Sequence, residues 1–284
     1  MRARPRCATA IAGARCCSPS GDRWASATPQ ADQGPTTLAA CLRFARARPP
    51  ILLLCLGLLC VPLPATATAA ARKTTATTTK AKPPKVVKLD EYRRQFAADP
   101  DMELVDLEKF IPGIRLDLRY ATRNNFMGRP LYGAARALLR RPVAERLLKV
   151  QASLAPRGLG LLVFDAYRPY SVTVEMWKSK KAKPIYLSPP SLGSRHNRGI
   201  AVDLALVDLK TGRPLPMPTD FDEFSPRASH AYSDLDPRRI ANRRILKEAM
   251  AAHGFFAFDR EWWHYSHGDW RRFDILDVPV EAVP

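Results

Sequence analysis

A carboxylate set inside an apolar strand constrains this chain more than any other feature. Gly199 to Val207 (GIAVDLALV) carries Asp203 among Ile200, Val202, Leu204 and Leu206. A run of that length and branched content reads as a largely buried strand. A buried carboxylate there requires a cation, several hydrogen bonds or a metal. Two stretches offer partners: Ser194-Arg195-His196-Asn197-Arg198 just upstream, and Glu261-Trp262-Trp263-His264 near the C-terminus. Two imidazoles and one carboxylate leave one position open on a four-coordinate zinc, the pattern of a hydrolytic rather than a structural site. His196 and Asp203 are seven residues apart, a spacing that cannot put both on one face of an unbroken strand. Gly199 between them permits an irregular turn. Taken alone, His196 also reads as a surface-loop histidine, and Glu261 as an edge-strand acid.

The six cysteines (Cys7, Cys16, Cys17, Cys41, Cys55 and Cys60) all lie within or before the apolar run Ile51–Val61. The remainder has none, which excludes a disulfide scaffold and a cysteine nucleophile and leaves His and Asp/Glu to bind any metal. Arg43, Arg46 and Arg48 precede the apolar run and small residues follow it, the layout of a secretory signal peptide. An apolar core of eleven residues falls short of the roughly 20 that span a bilayer as a helix. The expectation is an exported, periplasmic protein with no integral span after signal cleavage. The signal sits unusually far from Met1, which suggests translation beginning downstream, near Leu42.

The organisation expected is a 1–71 extension and signal, a 72–88 basic tether rich in Thr, Ala, Lys and Pro, and one folded domain over 89–284. Residues 1–71 hold 8 basic and 2 acidic residues and the tether 6 basic and none acidic, so a third of the net charge of +18 remains for the domain. Such a mildly basic domain does not point to nucleic acid. The tether offers weak attraction to an anionic cell envelope, although a solvated spacer is the simpler reading.

Within the domain, helices are expected over Leu89–Ala98, Ala134–Leu154 with a kink or fresh start at Pro142, Val172–Lys181 and Pro237–His253. Strands are expected over Ile114–Tyr120, Leu159–Phe164, Gly199–Val207, Phe255–Phe258 and Trp262–Ser266. Asp236 is a candidate N-cap, and Gly254 lies just past the helix end. The elements do not alternate as βαβ units, which favours an α+β class: a single domain with a largely antiparallel sheet flanked by helices.

Glu261 beside a zinc could take a proton from water and deliver it to a leaving amine. Arg168 in Asp165-Ala-Tyr-Arg-Pro emerges at a strand end. It suits either an oxyanion or a structural salt bridge. Tyr120 to Gly128 reads as a substrate-side loop and Phe221–Phe224 as a rim, while His230, His253 and His267 read as surface, capping or supporting histidines.

Four motifs in order, Tyr120-Ala-Thr-x-x-Asn125-Phe, Asp165-x-Tyr-Arg168-Pro, Ser194-x-His196-x-x-Gly-x-Ala-x-Asp203 and Glu261-x-Trp-His264, resemble those of the VanX-type D-alanyl-D-alanine dipeptidases, zinc enzymes of the hedgehog/D,D-peptidase fold. The resemblance runs from about Leu104 to the C-terminus. It implies one Zn2+ per chain on His196, Asp203 and His264, with Glu261 as general base and acid toward the zinc-bound water and Arg168 stabilising the tetrahedral oxyanion. It further implies that Asp222 receives the ammonium of the D-Ala-D-Ala substrate and that Ser194 lies near its carboxylate. Arg195 differs from the serine expected there in the members that the chain most resembles. The export signal departs from cytoplasmic members and suits envelope peptide salvage or wall turnover. A D,D-carboxypeptidase or L,D-endopeptidase acting on peptidoglycan stems is the alternative activity, and a non-catalytic zinc-stabilised binding module the alternative class.

Overall fold

The structure, a computed structural model, describes residues 84–182 and 184–284. The signal-peptide reading and the tether up to residue 83 lie outside the described residues. Among the described residues no helix is long and apolar enough to cross a membrane.

The elements follow the chain as β1 (Val86–Val87), α1 (Leu89–Ala98), β2 (Leu104–Asp106), α2 (Leu107–Phe110), β3 (Arg115–Leu116), β4 (Leu138–Arg140), α3 (Arg141–Leu154), β5 (Leu159–Asp165), α4 (Tyr170–Ser179), β6 (Ala201–Asp208), α5 (Pro237–Ala252), β7 (Phe255–Phe258), β8 (Glu261–His267) and β9 (Ile275–Leu276). Five strands form the main sheet in the order β3-β5-β6-β8-β7. Only the β3–β5 pair is parallel, so the expected α+β class with a largely antiparallel sheet holds. β6 is the central strand and is buried over all but its last residue. That is why it reads as a continuous apolar run rather than an alternating one. α3 turns Val143, Ala144, Leu147, Val150 and Leu154 inward and packs beside α5 and β5, while α5 covers β6, β7 and β8.

Local chemistry explains the best-matched elements. α1 spans the expected residues. The Asp236 carboxylate accepts from the Arg238 N–H at 2.8 Å at the start of α5, and Gly254 closes that helix at φ +85°, a conformation that costs glycine nothing.

Three expectations need correction. The helix expected from Ala134 starts only at Arg141, with Pro142 in its first turn, where the missing N–H has no helical partner to lose. The residues before it form β4, paired antiparallel with β2. The strand expected over Ile114–Tyr120 shrinks to Arg115–Leu116 and gives way to a 3-10 turn at Arg119–Ala121. The tether read as 72–88 overlaps β1, which pairs with β9. A two-residue strand is too short to carry a periodic signal, and tertiary pairing decides it.

Candidate metal centre and active site

Adjacent strands deliver two of the expected ligands side by side. Asp203 on β6 and His264 on β8 are directly paired residues. His196 reaches the same point from a 3-10 turn, His196–Arg198, ended by Gly199 at φ +69°. A Cβ on Gly199 would come within 2.6 Å of the Leu104 side chain, so the irregular turn expected from the odd spacing needs a glycine for space as well as for backbone angle. His196 Nε2 lies 3.1 Å from His264 Nδ1 and 3.4 Å from Asp203 Oδ2, and His264 Nδ1 lies 3.0 Å from Asp203 Oδ1. A tetrahedral zinc with bonds of about 2.0–2.1 Å has ligand atoms roughly 3.3 Å apart. The donor set therefore fits a single small dication. The Ala166 carbonyl, 2.6 Å from His196 Nδ1, can only accept, so Nδ1 carries the proton and the Nε2 lone pair faces the site.

Glu261 and His264 are separated by three residues, which in a regular strand would point them to opposite faces. The pairing of β8 with β7 breaks between them: Ala257 opposes Tyr265, and the next residue, Phe258, opposes Glu261. Trp262, Trp263 and His264 are thus extra on β8, a bulge that re-aims side chains. Glu261, Trp263 and His264 all line one cavity of about 280 Å³, together with Arg168, His196 and Asp203.

The electrostatics of the three acids diverge. Burial alone would push the Asp203 carboxyl up, but the charges and hydrogen bonds of His196 and His264 outweigh it and hold it well below the usual range. Glu261 is 6% exposed and has no hydrogen-bond partner among the described residues. Burial, then the charges of Asp203 and Asp222, drive its pKa well above the ordinary carboxylate value against the pull of Arg168. Burial and the charge of Asp203 raise Asp222 to about 8, although the Tyr120 hydroxyl favours its ionised form. Burial lowers the pKa of His264 despite Asp203, which suits a neutral, ligating imidazole.

Arg168 forms the salt bridge that the sequence offered and also lines the cavity. Its guanidinium donates to Asp165 Oδ2 through Nε (3.0 Å) and Nη2 (2.6 Å), and Nη2 stands 3.9 Å from Asp203 Oδ2 on the cavity wall. Tyr132 donates to the other Asp165 oxygen at 2.6 Å, and the Tyr120 ring lies under the guanidinium at 4.9 Å. The Tyr120 hydroxyl donates to both oxygens of Asp222, at 2.9 and 3.2 Å. Asp222 itself adopts a left-handed backbone (φ +61°). The loop after Tyr120 is tied by the Asn125 amide, which donates to the Arg119, Thr122 and Arg129 carbonyls.

Asn197 joins the two halves. Its amide donates to the Arg168 carbonyl and to Thr173 Oγ1, both at 2.8 Å, and its carbonyl accepts from the Ser194 N–H at 2.7 Å. Ser194 lines the cavity, and its hydroxyl accepts the His196 N–H at 3.2 Å. Sequence reasoning missed Asp165, Asn197 and Tyr132 as supports. Asp165 three residues before Arg168 was a legible signal, whereas Tyr132 lies in a stretch without pattern. Of the other histidines, His230 is half-buried against Tyr265 rather than at the surface, and burial lowers its pKa to about 4.

The pattern of the peptidase M15 family, D-ala-D-ala dipeptidase, matches residues 100–279. The D-alanyl-D-alanine dipeptidase of Escherichia coli K12 is 37% identical over 164 residues, covering 57% of this chain and 83% of that protein. That of Enterococcus faecium is 34% identical over 178 residues, covering 56% and 88%. That of Streptomyces coelicolor is 33% identical over 179 residues, covering 56% and 89%. The matched stretch contains every residue that lines the cavity, and the chain belongs to the peptidase M15 family of D-ala-D-ala dipeptidases as a metallopeptidase.

Proposed function

We propose that this protein hydrolyses D-alanyl-D-alanine to two D-alanines with one zinc held by His196, Asp203 and His264. The observation that carries the reading is an unpartnered, buried Glu261 sharing a cavity with a ligand triad of tetrahedral spacing. Bound there, zinc supplies Lewis acidity to the scissile carbonyl and makes water a nucleophile near neutral pH.

The protein's own groups complete the reaction. Glu261, with its raised proton affinity, accepts a proton from the attacking water and passes it to the departing amine. Arg168, held rigid by Asp165, presents positive charge where the carbonyl oxygen becomes anionic. At the far end, Asp222 and Tyr120 receive the substrate ammonium, whose charge would return Asp222 to its ionised form. Ser194 lies on the side expected for the carboxylate. A site built around these charges rejects peptides that leave them unpaired, which separates this activity from a D,D-carboxypeptidase or L,D-endopeptidase of wall stems.

The same reading places the enzyme in the periplasm, on the strength of the apolar run Ile51–Val61 and its arginine-rich approach, with a weak electrostatic hold on the envelope through the basic tether. The test is hydrolysis of D-Ala-D-Ala by the full chain with zinc and with chelator, beside the N-acetylated dipeptide. Zinc-dependent cleavage of the free dipeptide alone is the expected result. Cleavage of the blocked peptide would reassign the enzyme to wall stems.

A further inference from the structure

The dipeptide is a zwitterion, and the charges described so far answer only its ammonium end. Among the described residues, two cationic side chains besides the imidazoles line the cavity, Arg168 and Arg195. Arg168 is committed to Asp165. Its charge favours the ionised forms of Glu261 and Asp222. Arg198 on the same turn is also engaged, donating to the Phe273 carbonyl at 2.5 Å and lying over the Trp270 ring at 5.0 Å. Arg195 differs from both. Its side chain is exposed, and among the described residues it makes no hydrogen bond, ion pair or aromatic contact.

Its backbone is nonetheless fixed. The Arg195 carbonyl accepts from the N–H groups of Arg198 (3.1 Å) and Ile200 (3.4 Å), which anchors the base of the side chain between Ser194 and the ligand His196. A guanidinium on a fixed base, beside a hydroxyl on the same wall, is suited to a carboxylate: its planar fork matches the two oxygens. Asp222 and Tyr120 form the negative pole of the cavity. Ser194 and Arg195 line the same cavity, to which Arg195 adds a positive charge.

We propose that Arg195 adds a guanidinium to the carboxylate end of the substrate site and strengthens this enzyme's preference for dipeptides with a free C-terminus. The inference rests on the dipeptidase reading above and assigns the selectivity to a side chain at the cavity mouth. Because Arg195 is exposed, its contribution is screened by salt.

The experiment compares zinc-loaded full-length enzyme on D-Ala-D-Ala and on its C-terminal amide, in the wild type, Arg195→Ser and Arg195→Lys. The expected result is that the kcat/KM preference for the free acid falls about tenfold in Arg195→Ser, through KM, and by less in Arg195→Lys. The wild-type preference also declines as salt rises. An unchanged preference in Arg195→Ser would overturn the proposal while leaving the dipeptidase reading intact. Failure of the wild type to cleave the dipeptide would overturn the dipeptidase reading instead. Calorimetric titration of D-Ala-D-Ala into zinc-loaded Glu261→Gln, with and without Arg195→Ser, then decides the proposal alone. Binding weakened about tenfold supports it, and equal binding or none in both refutes it.

Discussion

Asp165 and Asp203 face each other as paired residues of β5 and β6, and the guanidinium of Arg168 lies 2.6 Å from the first and 3.9 Å from the second. Two buried carboxylates placed side by side repel unless a cation intervenes. Arg168 therefore lets Asp203, a candidate zinc ligand, sit next to its neighbour.

Replacing Asp165 by Asn leaves Tyr132 an acceptor and strips Arg168 of its tightest partner. Breaking one side of a buried pair costs about 3 kcal/mol, which for a domain of this size lowers the melting temperature by roughly 6–12 °C. Arg168 also loses its fixed position, so kcat falls further than stability alone explains. Calorimetry and steady-state kinetics on the same preparation check both parts.

Glu261→Gln is nearly isosteric and removes the proton carrier. A fall in kcat of about 10²–10⁴-fold is expected, with zinc still at one per chain by elemental assay. If zinc were lost as well, Glu261 would be a ligand rather than a base.

The acids predict how the metal-free protein responds to pH. The folded-state pKa of Asp222 is raised from 3.8 to about 8. Between those values the native state binds a proton that the unfolded chain has released, so stability falls as pH rises through that window. Asp222→Asn removes this dependence, and its melting temperature should decline less from mildly acidic to mildly alkaline pH. The difference amounts to about 2 kcal/mol once solvent access is allowed for. A parallel decline in wild type and variant would show that Asp222 is ionised throughout.

Asn197→Ala cuts three hydrogen bonds, one to the Arg168 carbonyl, one to Thr173 on α4 and one from the Ser194 N–H within its own turn. Neither the Arg168 carbonyl nor the Ser194 N–H has another partner in that linkage. A loss of about 2 kcal/mol in stability is expected, together with weaker zinc retention read from chelator competition.

What the sequence disclosed, and what it did not, divides along physical lines. His196, Asp203, Glu261 and His264 were legible because a charge inside an apolar run and two tryptophans beside an acid demand an explanation. The long helix α5 was legible from its caps. Leu138–Arg140 was not, since its strand character comes from pairing with β2 and its apolar residues are continuous with those of α3. Arg140 was equally silent. It is fully buried, has no carboxylate partner among the described residues, donates to the Arg198 and Met102 carbonyls, and lies between the Tyr92 and Phe273 rings. No local pattern announces an arginine whose partners come from four distant segments. The bulge in β8 escaped as well, because an odd spacing shows that a strand must be irregular without showing where.

The pairing of β1 with β9 sets a timetable for the chain. Val86 meets Ile275 across 189 positions, so this seam cannot close until the whole intervening stretch has been made. At about 5–20 residues per second, ribosomal synthesis of that interval takes roughly 10–40 s. His264 lies on β8, so the candidate ligand cluster assembles only after that strand arrives. Seam and centre both wait for the stretch from Glu261 to Leu276, and so are completed almost together.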